Sequence, residues 1–317
     1  MWKSGVAALF AAAVLSPCFA QAQQADGFDR GMETLWEVLW HQSGTATRLV
    51  RWNQDIKVRV FGVNAAAHRQ QTLKALRDVA AEAGVKVTDV SDLPDAAQQA
   101  NVSFEITPND ALSEMQPCET RLHFRSETTL DSTTTQMRDS EAWRCAYHES
   151  MHVMGVRGHP GGNTVLNYFT SQVDGLTALD KVMLHAWYSP RTRPGMTPFE
   201  FLPVLADELV AVMPDKARAQ QERDAFLIRT VRDMQAFAEG VGDAPAIIKA
   251  CGKETPAGVA FGRMEMSYFL GVAYQRGTSV RQDALLSTQW LQKAASLGNL
   301  SAKASLGARG TALGSHG

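Results

Sequence analysis

The order of apolar patterns along the chain predicts an α+β core, with a mixed sheet and helices packed on it, followed by an all-α C-terminal region. Two observations carry this. Between residues 56 and 154, short alternating apolar runs and helical patterns follow in the order strand, helix, strand, strand, strand, helix, which suits helices layered on one sheet. Beyond residue 177 the apolar residues recur at helical spacing, and a Leu-Gly pair returns after 36 residues, a period typical of stacked helix pairs. At 317 residues the chain can bury a large core and is expected to form more than one domain. The expected boundaries are a leader at 1–22, an α+β domain at 23–197, a helical connector at 198–245 and a helical repeat region at 246–317. A hydrophobic content of 45% and a charged content of 20% are ordinary for a soluble globular protein. A net charge of -2 gives no electrostatic reason to expect nucleic acid or an anionic membrane as partner.

The N-terminus reads as a bacterial secretory signal peptide. Lys3 precedes an apolar run from Val6 to Leu15, and Pro17 and Ala20-Gln21-Ala22 follow, with cleavage expected after Ala20 or Ala22. The implied location is secreted or periplasmic. No later segment approaches the roughly 18 apolar residues of a membrane span. Cleavage removes Cys18, and an oxidising compartment makes Cys118–Cys145 the expected disulfide, with Cys251 left over. The competing reading makes Cys145 a metal ligand, since it lies three residues before His148.

Leu35, Trp36, Leu39 and Trp40 suggest an amphipathic helix, then a loop to Arg51. Ile56, Val58, Val60 and Val63 alternate as a strand. Ala66 to Ala83 is rich in helix formers and stops at Gly84. Val85, Val87 and Val90 give a second strand, and Val102, Phe104 and Ile106 a third, ended by Pro108. Leu122 and Phe124 mark a fourth, and the Thr-rich stretch Leu130 to Gln136 reads as an edge strand or a loop. The next helix has Asp139 or Ser140 as N-cap and an apolar stripe of Trp143, Tyr147, Met151 and Met154. Further helices are expected at Thr177 to Tyr188, Pro198 to Met213 and Asp215 to Glu239, then a loose linker from Gly240 to Gly258.

His148-Glu149-Ser150-Met151-His152 is an H-E-x-x-H pattern. Two histidines four residues apart share a helix face and can bind one zinc ion, with the glutamate between them as proton acceptor. Gly155 allows a sharp turn, and His159 follows as the third ligand, with Asp174 and Asp180 as weaker candidates. His41, His68, His123 and His185 are isolated and read as surface or hydrogen-bonded residues.

The run His148, Glu149, His152, Gly155 followed by Thr164-Val165-Leu166-Asn167-Tyr168 resembles the zincin metallopeptidases, and within them the metzincins, whose Met-turn reads Ser-Val/Ile-Met-x-Tyr. His159 falls one residue later than the metzincin third histidine, and Leu166 replaces the Met-turn methionine. The stretch from Leu176 to Met196 is similar to a family of uncharacterised secreted bacterial proteins with a zincin-like core. Met264 to Leu306, with Tyr268-Phe269-Leu270-Gly271, Trp290 and Ala294-Ala295, resembles a Sel1-like repeat, a relative of the tetratricopeptide repeat. These resemblances imply a zincin-like core whose active-site helix carries zinc on His148, His152 and His159, leaving a fourth position for water. Glu149 would move the proton and Tyr168 would steady the oxyanion. The implied substrate is a peptide or protein, held in extended form along an edge strand, and the repeat could take a protein partner. The alternative is a catalytically inactive periplasmic interaction module, with the core structural and the repeat binding a partner.

Overall fold

The computed structural model describes residues 27–39, 48–126, 128–167, 174–245 and 255–314. The expected leader, Trp40, His41, Tyr168 and Cys251 lie outside these residues. The core is α+β. Its strands are β1 (Ile56–Gly62), β2 (Val87–Asp89), β3 (Val102–Thr107), β4 (Cys118–Ser126) and β5 (Thr129–Arg138). They form one mixed sheet in the order β2-β1-β3-β5-β4. β1 is parallel to both β2 and β3, β3 is parallel to β5, and β4 pairs antiparallel to β5 at the edge.

Strand alternation gives the sheet two unlike faces. Ile56, Val58, Val60, Val102, Phe104, Ile106 and Met137 are buried. Helices α1 (Phe28–Leu39), α2 (Ala65–Glu82), the short α3 (Ala96–Gln99) and α4 (Ala142–Val153) belong to this half of the chain. α2 and α4 pack against each other and against the sheet. The alternate residues carry polar contacts instead: Arg59 Nε donates to Ser103 Oγ at 2.8 Å, and Gln136 Nε2 donates to Glu105 Oε2 at 2.8 Å.

In this half of the chain three expectations change. The Thr-rich stretch is an interior strand, not an edge or a loop, because β4 folds back and takes the edge. Thr133 and Thr135 are buried there, and the Thr135 hydroxyl lies 2.7 Å from that of Thr120. Neither Asp139 nor Ser140 caps α4, which follows a 3-10 turn at Asp139–Glu141. Asp139 instead accepts from Asn64 and pairs with His68. Trp143 leaves the apolar stripe and stands 49% exposed, because the first turn of α4 turns Ala142 and Cys145 inward.

The second half is helical: α5 (Ala178–Tyr188), α6 (Pro198–Val212), α7 (Lys216–Glu239), α8 (Pro256–Arg276), α9 (Ala284–Ser296) and α10 (Leu300–Gly314). Capping boxes start α5 (Thr177, Asp180) and α6 (Thr197, Glu200), each satisfying backbone N–H groups at the helix start. The end of the expected linker is already helix, since Thr255 caps α8 and Pro256 is its first residue. Gly271 is needed where α8 meets α9, because a Cβ there would come within 2.7 Å of Leu291. At Gly307, the glycine of the recurring Leu-Gly pair, a Cβ would meet nothing within 4 Å. One continuous apolar cluster runs from Phe28 to Trp290, and a small second one joins Leu291, Ala294 and Ala302. Among the described residues no helix is long and apolar enough to cross a membrane.

Candidate metal centre

α4 carries His148 and His152 one turn apart, so both rings leave the same face. At the helix end Gly155 turns the chain with a φ of +87°, and a Cβ there would strike the Val50 carbonyl oxygen at 2.4 Å. The returning loop brings His159 back to the two helical histidines. The three residues can hold one metal ion, with ligand atoms all within 4.8 Å of one another. His152 Nε2 lies 3.2 Å from His148 Nε2 and 3.1 Å from His159 Nε2.

Backbone carbonyls fix the tautomers of the helical pair. His148 Nδ1 is 2.9 Å from the Val165 oxygen, and His152 Nδ1 is 2.8 Å from the Val156 oxygen. A carbonyl only accepts, so each Nδ1 carries the hydrogen and each neutral Nε2 presents a lone pair. Two lone pairs 3.2 Å apart repel unless a cation lies between them. Nitrogen ligands about 2.05 Å from one tetrahedral ion stand about 3.3 Å apart, close to the spacing found here. Burial, together with the neighbouring imidazoles His152 and His159, pushes His148 well below its ordinary pKa. Burial likewise lowers that of His152, against the Val156 bond and with help from nearby Arg157. Both rings are therefore neutral at pH 7 and ready as ligands.

Glu149 is 2% exposed and faces the edge strand. Its Oε1 lies 4.0 Å from His148 Nε2, and its Oε2 accepts from Thr120 Oγ1 at 2.6 Å. When Glu149 is ionised, the Thr120 hydroxyl gives its one proton to the carboxylate, and Thr135 then donates to Thr120 across the β4–β5 pair. Burial raises the Glu149 carboxyl to about 8, with the Thr120 bond opposing and Glu119 adding to the rise. The Cys118–Cys145 disulfide forms, with a Cα–Cα distance of 6.2 Å, and so excludes Cys145 as a ligand. It ties β4 to α4 two residues before Thr120 and four before Glu149.

Asp180 is not a ligand. It is buried, caps α5, and accepts from Thr164 Oγ1 and from the Val165 and Thr177 N–H groups. It holds the N–H of Val165, the residue whose carbonyl orients His148. Asp174 is exposed and outside the cluster. Leu166 is fully buried beside Val165. Thr120 and the two orienting carbonyls belong to the site without any local sequence signal, since each acts through tertiary contact. For Asp180 the spacing Thr177-x-x-Asp180 is the pattern of a capping box and could have been read. Comparison with family models, with curated proteins and with solved structures finds no match to this chain.

Proposed function

We propose that this chain is a secreted, zinc-dependent metallopeptidase of the zincin type, related to the metzincins, with a Sel1-like helical appendix. The observation that carries the reading is the convergence of three imidazole Nε2 atoms beside a buried carboxylate that a hydroxyl holds in place. Three nitrogen ligands suit zinc and leave room for reactants. Zinc supplies Lewis acidity at such a site, polarising a carbonyl and making water acidic near neutral pH.

The chain's own groups do the rest. Glu149 accepts the proton of the attacking water and passes it to the leaving amine. Thr120 keeps the carboxylate turned, and Thr135 is hydrogen-bonded to the Thr120 hydroxyl behind it. β4 is the edge strand beside Glu149, where an extended peptide can add by main-chain hydrogen bonds. Tyr168 is assigned to the oxyanion by resemblance. The exposed apolar residues Leu285, Leu297 and Leu300 favour a second reading, a protein partner at the C-terminal helices.

The test pairs metal analysis with Glu149→Ala. The purified protein is expected to hold one zinc per chain and to cleave a casein or quenched-peptide substrate. Glu149→Ala should keep the zinc and lose about 100- to 10,000-fold in turnover. Zinc retained with activity unchanged in Glu149→Ala rejects the peptidase. Absence of zinc, with no effect of His159→Ala on any property, rejects the metal site.

A further inference from the structure

His159 is the ligand that regular structure does not hold. His148 and His152 ride on α4, but His159 sits in a loop flanked by Gly158 (φ +96°) and Gly162 (φ +86°), both left-handed. On one side the loop is tied to its own sequel: Asn167 Nδ2 donates to the Gly162 oxygen at 2.8 Å, and Thr177 Oγ1 donates to the Asn163 oxygen at 3.0 Å. On the other side lies α1, from more than a hundred residues earlier. Glu37 Oε2 accepts from the Gly161 N–H at 3.1 Å. One turn before it, Thr34 packs under Gly162, where a Cβ would come within 3.2 Å of Thr34 Oγ1.

α1 is a firm base for this grip. Phe28, Met32, Leu35, Trp36 and Val38 are buried in the main core. Phe28 meets Phe226 of α7 edge-on at 6.0 Å, and Asp29 pairs with Arg229 at 2.6 Å. Burial raises the Glu37 carboxyl, and the Gly161 bond counters it. A half-buried carboxylate is an expensive way to hold a glycine amide unless the position of that amide matters. The amide is two residues from His159, and ligand distances tolerate only about 0.2 Å of error.

We propose that Glu37 is a positioning residue for the third metal ligand. Its carboxylate sets the 158–162 loop so that His159 Nε2 meets those of His148 and His152. This rests on the metal-site reading above. It makes the metal affinity of the α4 motif depend on a helix more than a hundred residues earlier in the chain.

The experiment is a zinc titration of the full chain by competition with a chromophoric chelator, alongside the visible spectrum of the cobalt form. Glu37→Ala is expected to bind zinc about 10- to 100-fold more weakly, as other outer-shell substitutions do, and to weaken the cobalt bands. Glu37→Gln keeps an oxygen for the Gly161 N–H and should restore both. In a His159→Ala background Glu37→Ala should cost nothing further, since its effect passes through that ligand. Should Glu37→Ala fail to fold, Glu37→Asp, which keeps the charge but withdraws the oxygen, carries the same comparison.

Wild-type zinc binding unmoved by Glu37→Ala overturns the positioning role and leaves the metal site standing. So does an equal loss with and without His159, or a Glu37→Gln as weak as Glu37→Ala. A wild-type chain that takes up no zinc overturns the metal site, and the positioning role with it.

Discussion

His148 and His152 give their Nδ1 hydrogens to Val165 and Val156, and burial keeps both rings neutral, while the same burial keeps Glu149 protonated near pH 7. The three groups therefore respond differently to an arriving dication. Neutral imidazoles have no proton to lose at pH 7. A carboxyl at about 8 holds its proton in the metal-free protein, and a dication close by favours the carboxylate. Zinc binding at pH 7 is thus expected to release about one proton more from wild type than from Glu149→Gln. The difference should shrink toward zero above about pH 9, where Glu149 is already ionised before zinc arrives. Calorimetric titration in two buffers of different ionisation heat measures it. Equal release from the two proteins at pH 7 would mean that Glu149 is ionised without metal.

Among the elements, the turn at Thr164–Asn167 and helix α5 act as one piece because Asp180 belongs to both. Its carboxylate takes the Thr164 hydroxyl, the Val165 N–H and the Thr177 N–H, all buried. Asp180→Ala leaves these donors without a partner and removes a helix cap. The expected loss is about 3 kcal/mol in urea unfolding of the metal-free protein. Zinc affinity should fall as well, because Val165, whose carbonyl orients His148, loses the anchor on its N–H. A loss under about 0.5 kcal/mol, as for an ordinary surface change, would show that Asp180 is no clamp. The sequence made Asp180 only a weak ligand candidate, since acidity is visible in a string of residues and a partner at Thr164 is not. The i, i+4 histidines and the alternation of Val58 and Val60 were legible because each depends on local geometry alone. The interior place of β5 was not. A threonine's hydroxyl suits an edge unless something across the sheet answers it, and Thr120 does so only after β4 has folded back. Trp143 misled for a related reason: helical spacing fixes which residues share a face, but not where along the helix that face is covered.

Across the whole molecule, the histidine cluster and the later helices are joined through a common core. α6 presents Phe199, Phe201, Leu202, Leu205 and Leu209, all at most 1% exposed, and packs against both α1 and α5. Phe201 meets Trp187 of α5 edge-on at 5.3 Å, and Phe28 of α1 meets Phe226 of α7. The capping carboxylate of α6, Glu200, is in turn paired with Arg276 of α8 and with Arg193. A chain ending at Thr197 would keep every proposed ligand, yet it would strip Phe201 from Trp187 and Phe226 from Phe28 and open both to water. Each such side chain contributes about 1.5–3 kcal/mol when buried, against a total stability of about 5–15 kcal/mol for a domain. Residues 23–197 alone are therefore expected to lack a cooperative urea transition. They should also bind zinc more weakly than the full chain, because α1 would have no base from which Glu37 could hold the His159 loop. Circular dichroism through a urea series and the competition titration measure the two effects. A cooperative transition together with full-chain zinc affinity in that fragment would make the α+β half self-sufficient and the helical half an appendage.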